Sequence, residues 1–156
     1  MIKIGVCEDE SIWRSHIEEV VKKVFKIKEE VLLLKSYSGG EALFCGYEGL
    51  DLVFMDIEMP GMDGIETAKR LRKIDSKVEI VFLTSHLEVM QEAFQVKAFR
   101  FLDKDFKYET IEICLESFFK EKNSFFDIVL ETKGETIFLN TKEIIMIEAT
   151  KNGTII

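Results

Sequence analysis

Leu52-Val53-Phe54-Met55-Asp56-Ile57-Glu58-Met59-Pro60-Gly61-Met62-Asp63-Gly64 is the stretch whose reading decides the fold. Its apolar opening reads as a short strand buried on both faces. The run stops on an acid, and Pro60, Gly61 and Gly64 then supply turn chemistry through which no strand continues. A carboxylate is therefore presented at a strand tip, where burial of apolar surface alone never selects one.

The same arrangement recurs near the N-terminus, where Ile2-Lys3-Ile4-Gly5-Val6-Cys7 ends in Glu8-Asp9. Carboxylates at neighbouring strand ends repel one another unless a cation holds them. Hard cations such as Mg2+ take oxygen ligands and commonly join protein carboxylates to a phosphate. Phosphate chemistry is the first expectation.

Working outward, short apolar runs alternate with segments of helical period up to about residue 122, the pattern of a parallel sheet covered on both faces. The strands read as Ile2–Cys7, Val31–Lys35, Leu52–Met55, Val78–Leu83 and Phe99–Leu102. Ile12, His16, Ile17, Val20, Val21, Val24 and Phe25 mark one helix, with His16 half-buried, and Ile65, Ala68, Leu71, Arg72 and Ile74 mark another. Ser38-Gly39-Gly40-Glu41 and Ser85-His86-Leu87-Glu88 read as capping boxes that start helices. A last helix runs from about Lys107 to Lys122, with Ile111, Cys114, Leu115, Phe118 and Phe119 facing inward.

This is an α/β pattern of the flavodoxin-like, doubly wound kind: a five-stranded parallel sheet in the order 2-1-3-4-5, whose ligands sit outside the carboxyl ends of the strands. After Lys122-Asn123-Ser124 the helices stop. Phe126–Thr132, Thr136–Leu139 and Ile144–Glu148 read as a short antiparallel β extension, separated by the turn signals Lys133-Gly134 and Lys151-Asn152-Gly153. The expected division is thus residues 1–122 as one domain and 123–156 as a linker with the opening of a second, cut short.

Composition narrows the function. With 47% hydrophobic and 32% charged residues the chain is globular, and a net charge of -8 argues against nonspecific adhesion to nucleic acid or anionic membrane. No apolar run is long enough to cross a bilayer and no signal-peptide layout opens the chain, so a cytoplasmic protein with no membrane partner is expected. Cys7, Cys45 and Cys114 are odd in number and sit among apolar neighbours, which reads as reduced core thiols. The phenylalanines read as core, and the basic run Lys69-Arg70-Leu71-Arg72-Lys73 as a solvated helix face.

Read in order, the strand ends carry Glu8 and Asp9, then Asp56, then Thr84 with Ser85, then Lys104. In a doubly wound sheet these tips converge on one edge. The set is chemically coherent: acids for a metal, one carboxylate as nucleophile, a hydroxyl donor, and an ammonium to balance the charge of a transferred phosphate.

Through Cys7-Glu8-Asp9-Glu10, Val53-to-Gly64, Phe82-Leu83-Thr84-Ser85 and Phe99-Arg100-Phe101-Leu102-Asp103-Lys104, the chain resembles the receiver domains of two-component response regulators over residues 1 to about 122. The resemblance implies that Asp56 accepts phosphate from a sensor histidine kinase, while Glu8, Asp9, Asp56 and the backbone carbonyl of Glu58 hold Mg2+. It further implies that Lys104 pairs with the acids and then the phosphoryl group, that Thr84 swings its hydroxyl onto a phosphoryl oxygen, and that Phe101 is the switch aromatic. Glu58 and His86, two residues beyond Asp56 and Thr84, are expected to modulate the lifetime of the phosphate. Where the family usually has a proline after the lysine, this chain has Asp105, which implies either a trans bond in a reshaped loop or a strained cis bond.

The tail resembles the first strands of LytTR-type DNA-binding domains. Such a regulator controls transcription by phosphorylation and is not an enzyme, and DNA would be contacted only through later strands that lie outside this chain. Two other readings stand beside it: an adaptor receiver acting through protein contacts, and a Mg2+-dependent aspartyl phosphatase. Unpaired strand edges in the tail invite pairing with a second copy.

Overall fold

The computed structural model describes residues 1–85, 95–104, 108–123, 128–132, 135–139, 148–150 and 153–155. The elements run β1 (Ile2–Cys7), α1 (Ser11–Ile27), β2 (Leu32–Tyr37), α2 (Gly40–Phe44), β3 (Leu52–Asp56), α3 (Gly64–Ile74), β4 (Glu79–Thr84), β5 (Arg100–Asp103) and α4 (Tyr108–Asn123). Four further strands follow, β6 (Ile128–Thr132), β7 (Glu135–Leu139), β8 (Glu148–Thr150) and β9 (Gly153–Ile155). The first five strands form one parallel sheet in the order β2-β1-β3-β4-β5, the flavodoxin-like arrangement that the alternation of elements led us to expect.

Burial explains why the strands read as continuous apolar runs. All of β3 is buried, as are β1 and β4 apart from one half-buried position each, because helices cover both faces of the sheet centre. The edge strands β2 and β5 are only partly buried. On α1, Ile17, Val20, Val21, Val24 and Phe25 pack inward at spacings of three and four. Ile12, which the helical period assigned to the same stripe, is instead 81% exposed at the start of that helix. On α3, Ile65, Thr67, Ala68 and Leu71 are buried. Asp63 caps it by accepting the Glu66 N–H at 2.7 Å.

Two local expectations are corrected. No capping box starts α2: Gly39 is its N-cap and makes no side-chain cap bond. Glu41 instead accepts the Met62 N–H at 3.0 Å, tying α2 to the loop after Asp56. Cys45, expected in the core, is exposed at the C-terminal end of α2, whereas Cys7 and Cys114 are buried. Cys45 is the C-cap of that five-residue helix, whose buried positions are Gly40 and Leu43. The second proposed capping box runs through residues 86–88, which lie outside the described residues.

The chain divides into two compact units, Met1–Leu115 and Glu116–Ile156, with the division falling inside α4. In the first, Ile111, Cys114 and Leu115 of that helix are buried. The second contains two antiparallel pairs in separate sheets, β6 with β7 and β8 with β9. The hairpin β6–β7 matches the strands read from sequence to within two residues. Of the proposed strand Ile144–Glu148 only Glu148 falls among the described residues, where it opens β8.

Candidate functional site

Register places the tips of the central strands side by side. Cys7 of β1 pairs with Met55 of β3, Asp56 pairs with Leu83 of β4, and Thr84 pairs with Asp103 of β5. The residues that follow each tip, Glu8-Asp9 and Lys104, therefore leave the sheet at the same edge as Asp56 and Thr84. Glu8, Asp56 and Thr84 are buried polar residues, with relative exposures of 0%, 1% and 1%.

Buried carboxylates need compensation, and Lys104 supplies it. Its Nζ lies 2.8 Å from Asp56 Oδ2 and 3.1 Å from Glu8 Oε2, with 14% of its side chain exposed. Backbone contacts support the geometry: the Lys104 N–H donates to the Thr84 carbonyl at 3.3 Å, and the Glu58 N–H donates to Asp56 Oδ1 at 3.2 Å.

The electrostatics follow. Burial first, and then the neighbouring charge of Asp56, push the Glu8 carboxyl up to about 7, with Lys104 pulling in the other direction. Burial likewise raises Asp56, and the Lys104 contact partly offsets this. Burial acts to lower the Lys104 ammonium, but its contacts with Asp56 and then Glu8 outweigh it and the net shift is upward.

One ammonium does not satisfy this cluster. Ligand oxygens of Glu8, Asp9 and Asp56 all lie within 4.8 Å of one another. Glu8 Oε2 and Asp56 Oδ2 are buried acceptors whose ion-pair contacts with Lys104 include no aligned hydrogen bond. Hard oxygen donors with excess negative charge fit a divalent cation of the Mg2+ kind.

The loop beyond Asp56 is folded back tightly. The Ile57 N–H donates to the Leu83 carbonyl at 3.3 Å and the Gly64 N–H to the Ile57 carbonyl at 2.9 Å. A Cβ at Gly64 would collide with the Asp56 carbonyl oxygen and stand 2.8 Å from the Ile57 Cα, so only glycine lets α3 start this close to the acid-bearing strand. Gly61 has φ +78, a left-handed value that glycine adopts without strain.

Of the residues singled out from sequence, Glu8, Asp9, Asp56 and Lys104 meet in one cluster, with Thr84 at the adjoining strand tip. Phe101 lies further back on β5, its ring stacked on Phe82 with centroids 5.7 Å apart. Glu58 is exposed on the loop. His86 and Asp105 lie outside the described residues, and with Asp105 the Lys104–Asp105 bond.

Sequence reading passed over Arg14, whose Nη1 donates to the carbonyl oxygens of both Glu8 and Asp9. The available signal was a cation four residues into a helix that follows an acid pair.

Among the described residues no helix is long and apolar enough to cross a membrane.

Comparison with known proteins identifies the family. The chain is 27% identical over 150 residues to the sensory transduction protein LytT of Oceanobacillus iheyensis, an alignment covering 94% of this chain and 58% of that protein. It is 32% identical over 117 residues to the positive alginate biosynthesis regulatory protein of Pseudomonas aeruginosa, covering 74% of this chain and 46% of that protein. The chain thus spans about half the length of the curated relatives it matches. Among solved structures, the response regulatory domain of protein mrkE from Klebsiella pneumoniae superposes with a TM-score of 0.68 at 24% identity, over 77% of this chain and 97% of that one, a likeness of fold. A family model described as the response regulator receiver domain matches residues 4–116. That match takes in the parallel sheet from Ile4 onward and every residue that meets at its carboxyl edge, so the chain belongs to the response regulator receiver family of two-component signalling.

Proposed function

We propose that Asp56 is the phosphoacceptor of a response regulator and that a sensor histidine kinase is the donor. The observation that carries this reading is the Lys104 ammonium held between the buried carboxylates of Asp56 and Glu8 at the edge of the sheet. Any buried carboxylate calls for a cation, but an ammonium that bridges two acids at an open strand edge is also placed to neutralise an incoming anionic group.

In the transfer, a carboxylate oxygen of Asp56 forms a bond to phosphorus while the bond from phosphorus to the kinase histidine nitrogen breaks, and the nitrogen keeps the electron pair. Asp56 must be ionised to attack, and the Lys104 contact favours that form. Glu8, Asp9, Asp56 and the Glu58 backbone carbonyl would hold Mg2+, which when bound neutralises charge on the phosphoryl oxygens. The remaining work is positioning, which the tight turn through Gly64 supports.

The phosphoryl group adds roughly 1.5 to 2 negative charges and strong acceptor oxygens at neutral pH. Thr84, at the adjoining strand tip, offers its hydroxyl to one of those oxygens, and Phe101 turns inward as Thr84 moves, a local change that biases a distant surface. Glu58, exposed beside the pocket, and His86 tune how long the acyl phosphate survives water. Turnover of external substrates is not the activity: the chain assists the gain and loss of its own phosphate.

Residues 1–122 form the switch and 123–156 a linker with the first strands of a LytTR-type DNA-binding output, whose DNA contacts lie beyond this chain. The extent of the LytT alignment, 94% of this chain, favours that output over a stand-alone adaptor. A cytoplasmic setting follows from the kinase and DNA partners. Incubation with Mg2+ and acetyl phosphate, followed by electrophoresis in a phosphate-retarding gel, tests the reading. A retarded band in the parent and none in Asp56→Asn supports it; retardation of both contradicts it.

A further inference from the structure

Arg14 is the fourth residue of α1, close to a helix N-terminus where the macrodipole disfavours a cation. Its side chain turns back out of the helix. Nη1 donates to the Glu8 carbonyl oxygen at 2.5 Å and to the Asp9 carbonyl oxygen at 3.1 Å.

These two carbonyls lie where the sheet stops holding the chain. Cys7 is the last residue of β1 paired with β2 and β3, and the Glu8 N–H to Tyr37 carbonyl bond, at 3.1 Å, is the last on that side. Immediately beyond, the backbone must keep two carboxylates beside a third, with their oxygens within 4.8 Å, against mutual repulsion. The N-cap of α1, Glu10, contributes no side-chain cap bond.

We propose that Arg14 is a positioning residue for the acidic pocket: by holding the Glu8 and Asp9 carbonyls it fixes the backbone that aims both carboxylates at Asp56, and so sets the affinity for Mg2+. The inference rests on the reading of this pocket as a Mg2+ site given under Proposed function. Both contacts are to backbone oxygen, which leaves the carboxylates to the metal. A planar guanidinium reaches two acceptors from one stem, whereas the ammonium of lysine is a point charge on a flexible one.

The test is a calorimetric Mg2+ titration of the full chain, comparing the parent with Arg14→Gln and Arg14→Lys. Arg72→Gln serves as a matched control. Arg72 also donates to backbone carbonyls, those of Val96 at 2.7 Å, Val78 at 2.5 Å and Lys97 at 3.1 Å, but at the opposite end of the strands. The expected result is a dissociation constant about 10- to 100-fold weaker in Arg14→Gln, as for other residues that orient metal ligands. Arg14→Lys should fall between it and the parent, and Arg72→Gln should bind as the parent does. Unchanged Mg2+ affinity in Arg14→Gln, or equal weakening in Arg72→Gln, overturns the inference while the metal site stands. A parent that binds no Mg2+ overturns the metal reading as well.

Discussion

Lys104 Nζ lies 2.8 Å from Asp56 Oδ2, and that contact ties the last strand of the parallel sheet to its middle one. Because Glu8 shares the same ammonium, three elements meet through one cation. The arrangement stores charge that folding alone would avoid.

Replacing Lys104 with methionine leaves two buried carboxylates without their cation. Loss of one partner from a buried pair costs about 3–5 kcal/mol. The sign with pH is fixed by Glu8, whose folded-state value, about 7, stands above its ordinary 4.5. The folded chain therefore binds the extra proton, and the cost is absent below about pH 4.5 and grows as pH rises through 7. Without Lys104 the carboxyl is pushed higher still. Urea denaturation in EDTA at several pH values checks this: Lys104→Met should lose most stability at alkaline pH, and a loss independent of pH contradicts the account.

Gly64→Ala places a Cβ against the Asp56 carbonyl oxygen and 2.8 Å from the Ile57 Cα, both backbone atoms that cannot step aside. Overpacking of this kind costs about 1–3 kcal/mol. We expect a lower unfolding midpoint and weaker phosphorylation together. Parent-like stability in Gly64→Ala would mean that α3 does not start as described.

The thiols should separate cleanly by reactivity. Cys7 and Cys114 are buried, and burial above all pushes each up to about 12, whereas Cys45 is exposed. Alkylation of the native protein at neutral pH should label Cys45 alone, with all three labelled in denaturant. A raised folded-state value means that the unfolded chain releases these protons first, so stability should also fall as pH climbs above about 9. Native labelling of Cys7 would contradict the packing.

Much of this was legible in the chain because the central strands are buried on both faces and so read as unbroken apolar runs. Edge strand β2 was less so: it runs Leu32–Tyr37 where Val31–Lys35 was expected, since its half-buried residues carry a weaker pattern. The acids and the lysine were found because charge at the end of an apolar run has no structural excuse. What escaped were contacts between distant positions. Glu41 mimics a local capping box but serves Met62, 21 residues away, and Arg14 looks like a solvated helix residue until its backbone partners are seen. Ile12 was misplaced because period says which side of a helix a residue takes, not whether anything covers it, and Cys45 because apolar neighbours in sequence do not bring cover in space.

The central claim is that a side-chain oxygen at position 56 becomes an acyl phosphate. Borohydride reduction after incubation with Mg2+ and acetyl phosphate converts an aspartyl phosphate to homoserine, and peptide mapping by mass spectrometry locates it. The account predicts homoserine at position 56 and at no other acid, with none formed when Mg2+ is withheld. Homoserine at another position, or an unmodified peptide spanning Leu52–Gly64, would contradict it.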